Sequence, residues 1–284
     1  MKHLFRAVLF TAVTVAGPAS IAFAQQRPLV TEDPETIGAG LVLLEAGFDQ
    51  QREVSYPASG LTGNLLRLPT LGASFGVSSI AEVQVDGGLY NRLQVTSRSP
   101  APLSDQLSFS GDRTHSVEDL VVATKIRLLS ETPGRPAVGV RFGTRLPNAS
   151  NESGLGLDTT DFFLTALFGK TVQSIRLVGN AGLAILGDPV RGDRQNDVLT
   201  YGVSVARAVR QGLEVVGEVN GRLDTREGEP PVGTESRGAM RLGGRFTRST
   251  VRVDAGLIVG ITSRDPSIGL TAGLTWVFKG FGVP

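Results

Sequence analysis

Residues 81–86 read Ala81-Glu82-Val83-Gln84-Val85-Asp86, an apolar residue at every odd position and a polar or charged one at every even position. Successive side chains on an extended chain point to opposite sides, so this stretch is a strand with one greasy face and one wet face. A helix would need its apolar residues at a 3.6-residue period, and they are not spaced that way. Leu89 continues the apolar parity, and Arg92 falls with Glu82, Gln84 and Asp86. The pattern recurs along the chain. Val138, Val140, Phe142 and Leu146 alternate with Arg141 and Arg145. Leu213, Val215 and Val219 oppose Glu214, Glu218 and Arg222. Val251, Val253, Leu257 and Val259 alternate with Arg252 and Asp254, and Leu120, Val122, Ile126 and Leu128 oppose Lys125 and Arg127.

About twelve such segments follow one another, at 40–51, 63–75, 80–95, 117–130, 136–146, 160–168, 174–186, 197–208, 213–224, 236–246, 251–262 and 268–278. Pro69 interrupts the second, which predicts a bulge or kink there. Each is about the length a tilted strand needs to cross a bilayer. The connections alternate between short (76–79, 131–135, 169–173, 209–212, 247–250) and long (52–62, 96–116, 147–159, 187–196, 224–235), with 263–267 a short exception in a long slot. This order predicts an all-β fold: a single transmembrane up-and-down β-barrel of about twelve antiparallel strands, with long loops outside and short turns in the periplasm. A soluble β-sandwich is the rival, but it gives no reason for alternating loop lengths.

Lys2 and Arg6 precede an uncharged run from Ala7 to Ala22, which closes on Ala22-Phe23-Ala24. That is the order of a secretory signal, with cleavage expected after Ala24. The expected organisation is a signal at 1–24, an N-terminal periplasmic segment at 25–39, a barrel at 40–278 and a tail at 279–284. Removing Lys2 and Arg6 from 28 basic residues leaves 26 against 27 acidic ones, a net charge of −1. No basic excess favours a nucleic-acid partner. The absence of cysteine excludes disulfides, thiolate metal sites and a Cys nucleophile. With 36 glycines and a mean hydropathy of +0.06, the composition suits an all-β chain without membrane helices.

The final segment, Thr271-Ala272-Gly273-Leu274-Thr275-Trp276-Val277-Phe278, carries the glycine and paired aromatics that outer-membrane barrels present to the barrel-assembly machinery. Gly273, Trp276 and Phe278 are its key positions, with both rings expected at the lipid interface. One Trp and three Tyr make a sparse aromatic belt, so Phe must supply most of it.

Thr31-Glu32-Asp33-Pro34-Glu35-Thr36-Ile37-Gly38 resembles the opening of the meta-pathway phenol degradation family. Glu118-Asp119-Leu120 with Lys125, and Pro136 through Leu146-Pro147, resemble its following strands, with Glu118 in place of a glycine. The resemblance implies an outer-membrane barrel that passes small, aromatic or hydrophobic molecules, and it brings no catalytic residues.

The polar parity supplies the candidate lumen residues: Glu82, Asp86, Lys125, Arg127, Arg141, Arg145, Glu214, Glu218, Arg241, Arg245, Arg252 and Asp254, with Glu45, Arg67, Arg92, Arg176, Arg222, Asp224 and Arg237 on the same reading. They either form a polar pathway or pair across strands to fill a narrow interior. Basic residues outnumber acidic ones in this set. Three functions remain: a channel or transporter, a closed barrel with a structural or surface role, and an outer-membrane hydrolase. For the last, Gly72-Ala73-Ser74-Phe75-Gly76 matches a nucleophile elbow that needs a strand–turn–helix setting, and His115 lies in a loop. Asp105, Asp112, Glu118 and Asp119 lack the spacing of a calcium loop. No metal, no cofactor and no enzyme activity are expected; the partners are outer-membrane lipid, the assembly machinery and a small solute.

Overall fold

The computed structural model describes residues 27–283, so the expected signal and its Ala24 cleavage site lie outside the described residues. Fourteen strands form one antiparallel sheet closed on itself. In order they are β1 Leu41–Tyr56, β2 Leu61–Gly76, β3 Ala81–Gly88, β4 Asn91–Arg98, β5 Arg113–Ser116, β6 Leu120–Leu129, β7 Ala137–Leu146, β8 Asp161–Val172, β9 Ile175–Gly187, β10 Gln195–Arg210, β11 Leu213–Asp224, β12 Arg237–Arg248, β13 Val251–Gly260 and β14 Ile268–Lys279. β2 pairs with β3 and then β4, while β6 and β5 pair with those two in turn. These four strands are two interrupted crossings, so the barrel has twelve. Closure comes from β1, which pairs with β14 on one side and β2 on the other. A closed sheet leaves no strand edge with unpaired N–H and C=O groups, the condition for crossing hydrocarbon.

The two faces divide as alternation requires. Phe142, Leu164, Leu183, Val203, Leu242 and Leu257 lie exposed on the outer surface, whereas Glu82, Lys125, Asp161, Glu218 and Asp254 are buried. This is the inverse of a water-soluble protein, and it makes the outer surface a lipid-facing belt. Trp276 and Phe278 share that belt, with ring centroids 4.4 Å apart.

Of the breaks in parity, two bear on the lumen assignments. Thr70 pairs with Gly47 but Arg67 pairs with Asp49, so Leu68 and Pro69 together oppose Phe48 alone. Proline has no N–H to give the ladder, and a bulge removes the need for one. The break at Leu89-Tyr90, between β3 and β4, shifts the second parity. Beyond it Asn91 and Leu93 are buried and Arg92 is exposed. Arg92 therefore does not belong with the lumen residues, which corrects its assignment by simple alternation.

The short connections tighten further than the spacing suggests: Gln211-Gly212 and Ser249-Thr250 each join two strands, with Gly212 and Ser249 at positive φ. The first long connection is mostly strand, because β1 and β2 stay paired out to Tyr56 and Leu61. Elsewhere at that end, Leu107, Phe109 and Leu155 from connections 99–112 and 147–160 pack on Leu61, Leu65 and Leu93 to form a small apolar core. The tail starts one residue later than expected, with the Gly280 N–H donating to Gly40 O at 2.9 Å.

Candidate functional site: a lumen crossed by its own N-terminal segment

Residues 27–40 have no regular structure and lie against the inner wall. They are not a free periplasmic segment, which corrects the sequence expectation for 25–39 over the described residues. The path begins at the end with the short turns, where the Gly40 N–H donates to Gly76 O at 2.7 Å. The Ile37 N–H donates to the Glu82 carboxylate at 2.7 Å. Glu35 pairs with Arg127, and Asp33 accepts from Arg176 Nε and Nη2 at 2.9 and 2.7 Å. The Glu32 N–H donates to Asn180 Oδ1 at 2.7 Å, while its carboxylate sits 2.9 Å from Lys125 Nζ. The N–H groups of Val30 and Thr31 both donate to Glu218. Arg27 donates to Thr70 Oγ1, Thr271 Oγ1 and Ala272 O.

The physical reason is the backbone. An irregular chain in a narrow interior has N–H groups without a ladder, and leaving them bare costs on the order of 1–3 kcal/mol each. Glu82 and Glu218, projecting from β3 and β11, supply acceptors at those points. The wall also makes room. The Arg27 guanidinium lies 2.2 Å from where a Cβ on Gly47 would sit and 2.3 Å from one on Gly273. Pro34 lies against Gly139 and Gly169 in the same way. A side chain at Gly47 or Gly273 would push the Arg27 guanidinium aside, and one at Gly169 would meet Pro34 of the segment itself.

Apart from Arg92, the sequence-derived lumen residues face inward, and nearly all have partners. Glu82 and Lys125, both fully buried, are 3.0 Å apart. Asp86 is 3.7 Å from Arg141, and Arg145 pairs with Asp161. Glu214 and Glu218 meet Arg245 and Arg241 across β11 and β12, at 2.8 and 3.6 Å. Arg252 donates to Thr247 Oγ1 at 2.9 Å, and Asp254 lies 3.8 Å from Arg27. Sequence reasoning missed Glu32, Asp33 and Glu35, the acids that answer the basic excess of the wall. At the short-turn end, Glu131 accepts from the Thr171 N–H and pairs with Arg176. Burial opposes its charge, but these contacts outweigh that and hold the carboxyl below the usual range.

Toward the long-loop end the lumen widens into a cavity of about 650 Å³, floored by residues 27–32 and walled by Asp49, Arg67, Arg141, Phe163, Arg222 and Arg237. The enzyme-like features do not assemble. Ser74 lies within β2 with no helix after it. His115 stacks on Tyr90 at 5.7 Å and is exposed. Asp119 is taken up by the N–H groups of Asn148 and Ala149, and Glu118 by Arg67. Among the described residues no group of His, Cys, Asp and Glu could hold a metal ion.

No family model matches the chain, and no curated relative is found by sequence. Solved structures do match. The COG4313 outer membrane channel from Pseudomonas putida F1 superposes with a TM-score of 0.62 at 13% identity, over 87% of this chain and 98% of that one. The chain has the fold of an outer-membrane β-barrel. The NanC porin, with a TM-score of 0.50 at 8% identity over 83% of this chain and 98% of its own, has a related barrel. At these identities the likeness speaks for the fold alone.

Proposed function

We propose that this chain is a bacterial outer-membrane channel for small solutes, exported through a cleaved signal and inserted by the barrel-assembly machinery, with a pathway constricted by its own N-terminal segment. The observation that carries the reading is the open cavity at the long-loop end, floored by a segment held through side chains and not built into the sheet. A barrel meant only to be solid would fill that volume with large side chains, as small barrels do. The belt of exposed apolar residues supports insertion in lipid. The likeness to a barrel described as a channel and another described as a porin agrees with transport. The family resemblance gains a physical meaning, since Thr31 to Gly38 is the stretch that crosses the lumen. It favours small aromatic or hydrophobic solutes.

Conductance in planar bilayers tests the proposal. The full chain should give small steps, and a form lacking residues 27–37 should give larger ones. If neither form conducts, the barrel is closed and its role is structural. That second reading draws support from the dense ion pairing of the inner wall.

A further inference from the structure

Most charges of the lumen stand within ion-pair distance of an opposite charge, but two neighbouring arginines do not. Arg222 on β11 and Arg237 on β12 are direct register partners, pointing inward side by side. Like charges placed opposite each other repel, so such a pair needs compensation. At hydrogen-bond distance it comes from carbonyls, while the carboxylates of Glu235 and Asp161 act on Arg222 from farther off. Arg222 donates from Nε to Glu235 O at 2.8 Å and from Nη2 to Gly233 O at 2.6 Å. Arg237 donates from Nη1 to Arg264 O at 2.9 Å and from Nη2 to Ser55 O at 3.0 Å. No salt bridge within 4.0 Å forms to either among the described residues. Two of five donors on each guanidinium are thus used, and both side chains line the cavity.

The nearby acids stop short of an ion pair with either arginine. Asp161 binds Arg145 and accepts the Gly187 N–H. Asp265 accepts from the Gly238 N–H and from Thr262. Glu235 accepts the Gly233 N–H through Oε1, its Oε2 is buried without a hydrogen-bond partner, and the carboxylate lies beyond ion-pair distance of Arg222. Deeper in the same cavity Arg241 has a buried Nε without a partner. Phe163, which packs with Ala184 and Val198, lines the same cavity from β8.

We propose that Arg222 and Arg237 form a subsite for the carboxylate of a small organic acid, with Phe163 facing its apolar body. A planar carboxylate takes two N–H groups from a guanidinium fork, and it would supply the contact ion pair that no acid of the wall makes with these two. The chemistry favours an aromatic acid over a bare anion, because the charged pair and Phe163 border one cavity. This inference rests on the channel reading for its role in transport, but not for the existence of the site.

The test is titration calorimetry of benzoate and acetate into the full chain in detergent, with conductance measured on the same preparation. Benzoate should bind saturably and more tightly than acetate. The Arg222→Gln/Arg237→Gln form should bind roughly tenfold or more weakly, having lost charge-assisted hydrogen bonds. Arg222→Lys should fall between, since an ammonium keeps the charge and loses the fork. Arg191→Gln, in the exposed connection after β9, should bind as wild type. Absence of benzoate binding by wild type, equal binding by the double variant, or an equal loss in Arg191→Gln overturns the proposal. A heat-modifiable band on unboiled gels checks folding; if the double variant lacks it, Arg222→Lys decides, and wild-type affinity there overturns the site. A barrel that conducts without binding benzoate keeps the channel and loses the site. One that binds benzoate and does not conduct keeps the site and loses the channel.

Discussion

The ammonium of Lys125 lies 2.9 Å from the carboxylate of Glu32, a residue 93 positions earlier that belongs to no strand. Glu82, 3.0 Å away on the neighbouring strand, is its second carboxylate. Taking both partners from a buried cation would cost about 3–5 kcal/mol, but taking one leaves a paired charge. Glu32→Gln should therefore leave the barrel folded, with a stability change of about 1 kcal/mol or less. It should weaken the hold on the segment, seen as larger or more frequent conductance steps. Unchanged steps would mean that this ion pair does not restrain the pathway.

The Thr31 side chain fills the space of an absent side chain at Gly202. A Cβ built on Gly202 would lie 3.5 Å from that of Thr31, within the roughly 3.5–4.5 Å that a disulfide spans. The chain has no cysteine of its own, so Thr31→Cys with Gly202→Cys gives an unambiguous bond. Oxidation should lower conductance and reduction should restore it. Equal currents in both states would separate the segment from gating.

The two faces of β13 should respond in opposite ways. Leu257 is 46% exposed on the lipid side, whereas Asp254 is buried beside Arg27. Leu257→Arg should cost on the order of 2–4 kcal/mol near the midplane of the membrane. Asp254→Asn keeps shape and should stay heat-modifiable on unboiled gels. Guanidinium unfolding from lipid vesicles measures both. A wild type that stays monodisperse in buffer without detergent would remove the lipid belt altogether.

Sidedness can be read with an impermeant maleimide. Asp105, exposed in the connection between β4 and β5, should label on whole cells as Asp105→Cys. Thr132, exposed in the turn between β6 and β7, should label as Thr132→Cys only after lysis. The opposite result inverts the topology.

The barrel was legible because strand alternation is local: Val83 and Glu82 declare their faces to any reader of three residues. The parity flips were harder. Pro69 announces its bulge, but nothing in Leu89-Tyr90 marks the break that sends Arg92 outward, because both residues suit a continuous strand. The N-terminal segment was invisible for a different reason. It has no period, and Glu32, Asp33 and Glu35 read as solvated charge until the wall they meet is in place. One sign was present. Lumen arginines in excess of lumen acids, in a space too narrow for free counter-ions, call for carboxylates from elsewhere in the chain.

The glycines that admit Arg27 and Pro34 give the segment and the wall a shared history. Gly47 and Gly273 are register partners across the closing seam, and their lack of side chains makes the room in which the Arg27 guanidinium lies. A lineage that loses the arginine releases that room, and one that enlarges either glycine must move the guanidinium elsewhere. Among homologues, side-chain size at Gly47 and Gly273 should thus be inherited together with the identity of residue 27, as a single character that evolves in one piece.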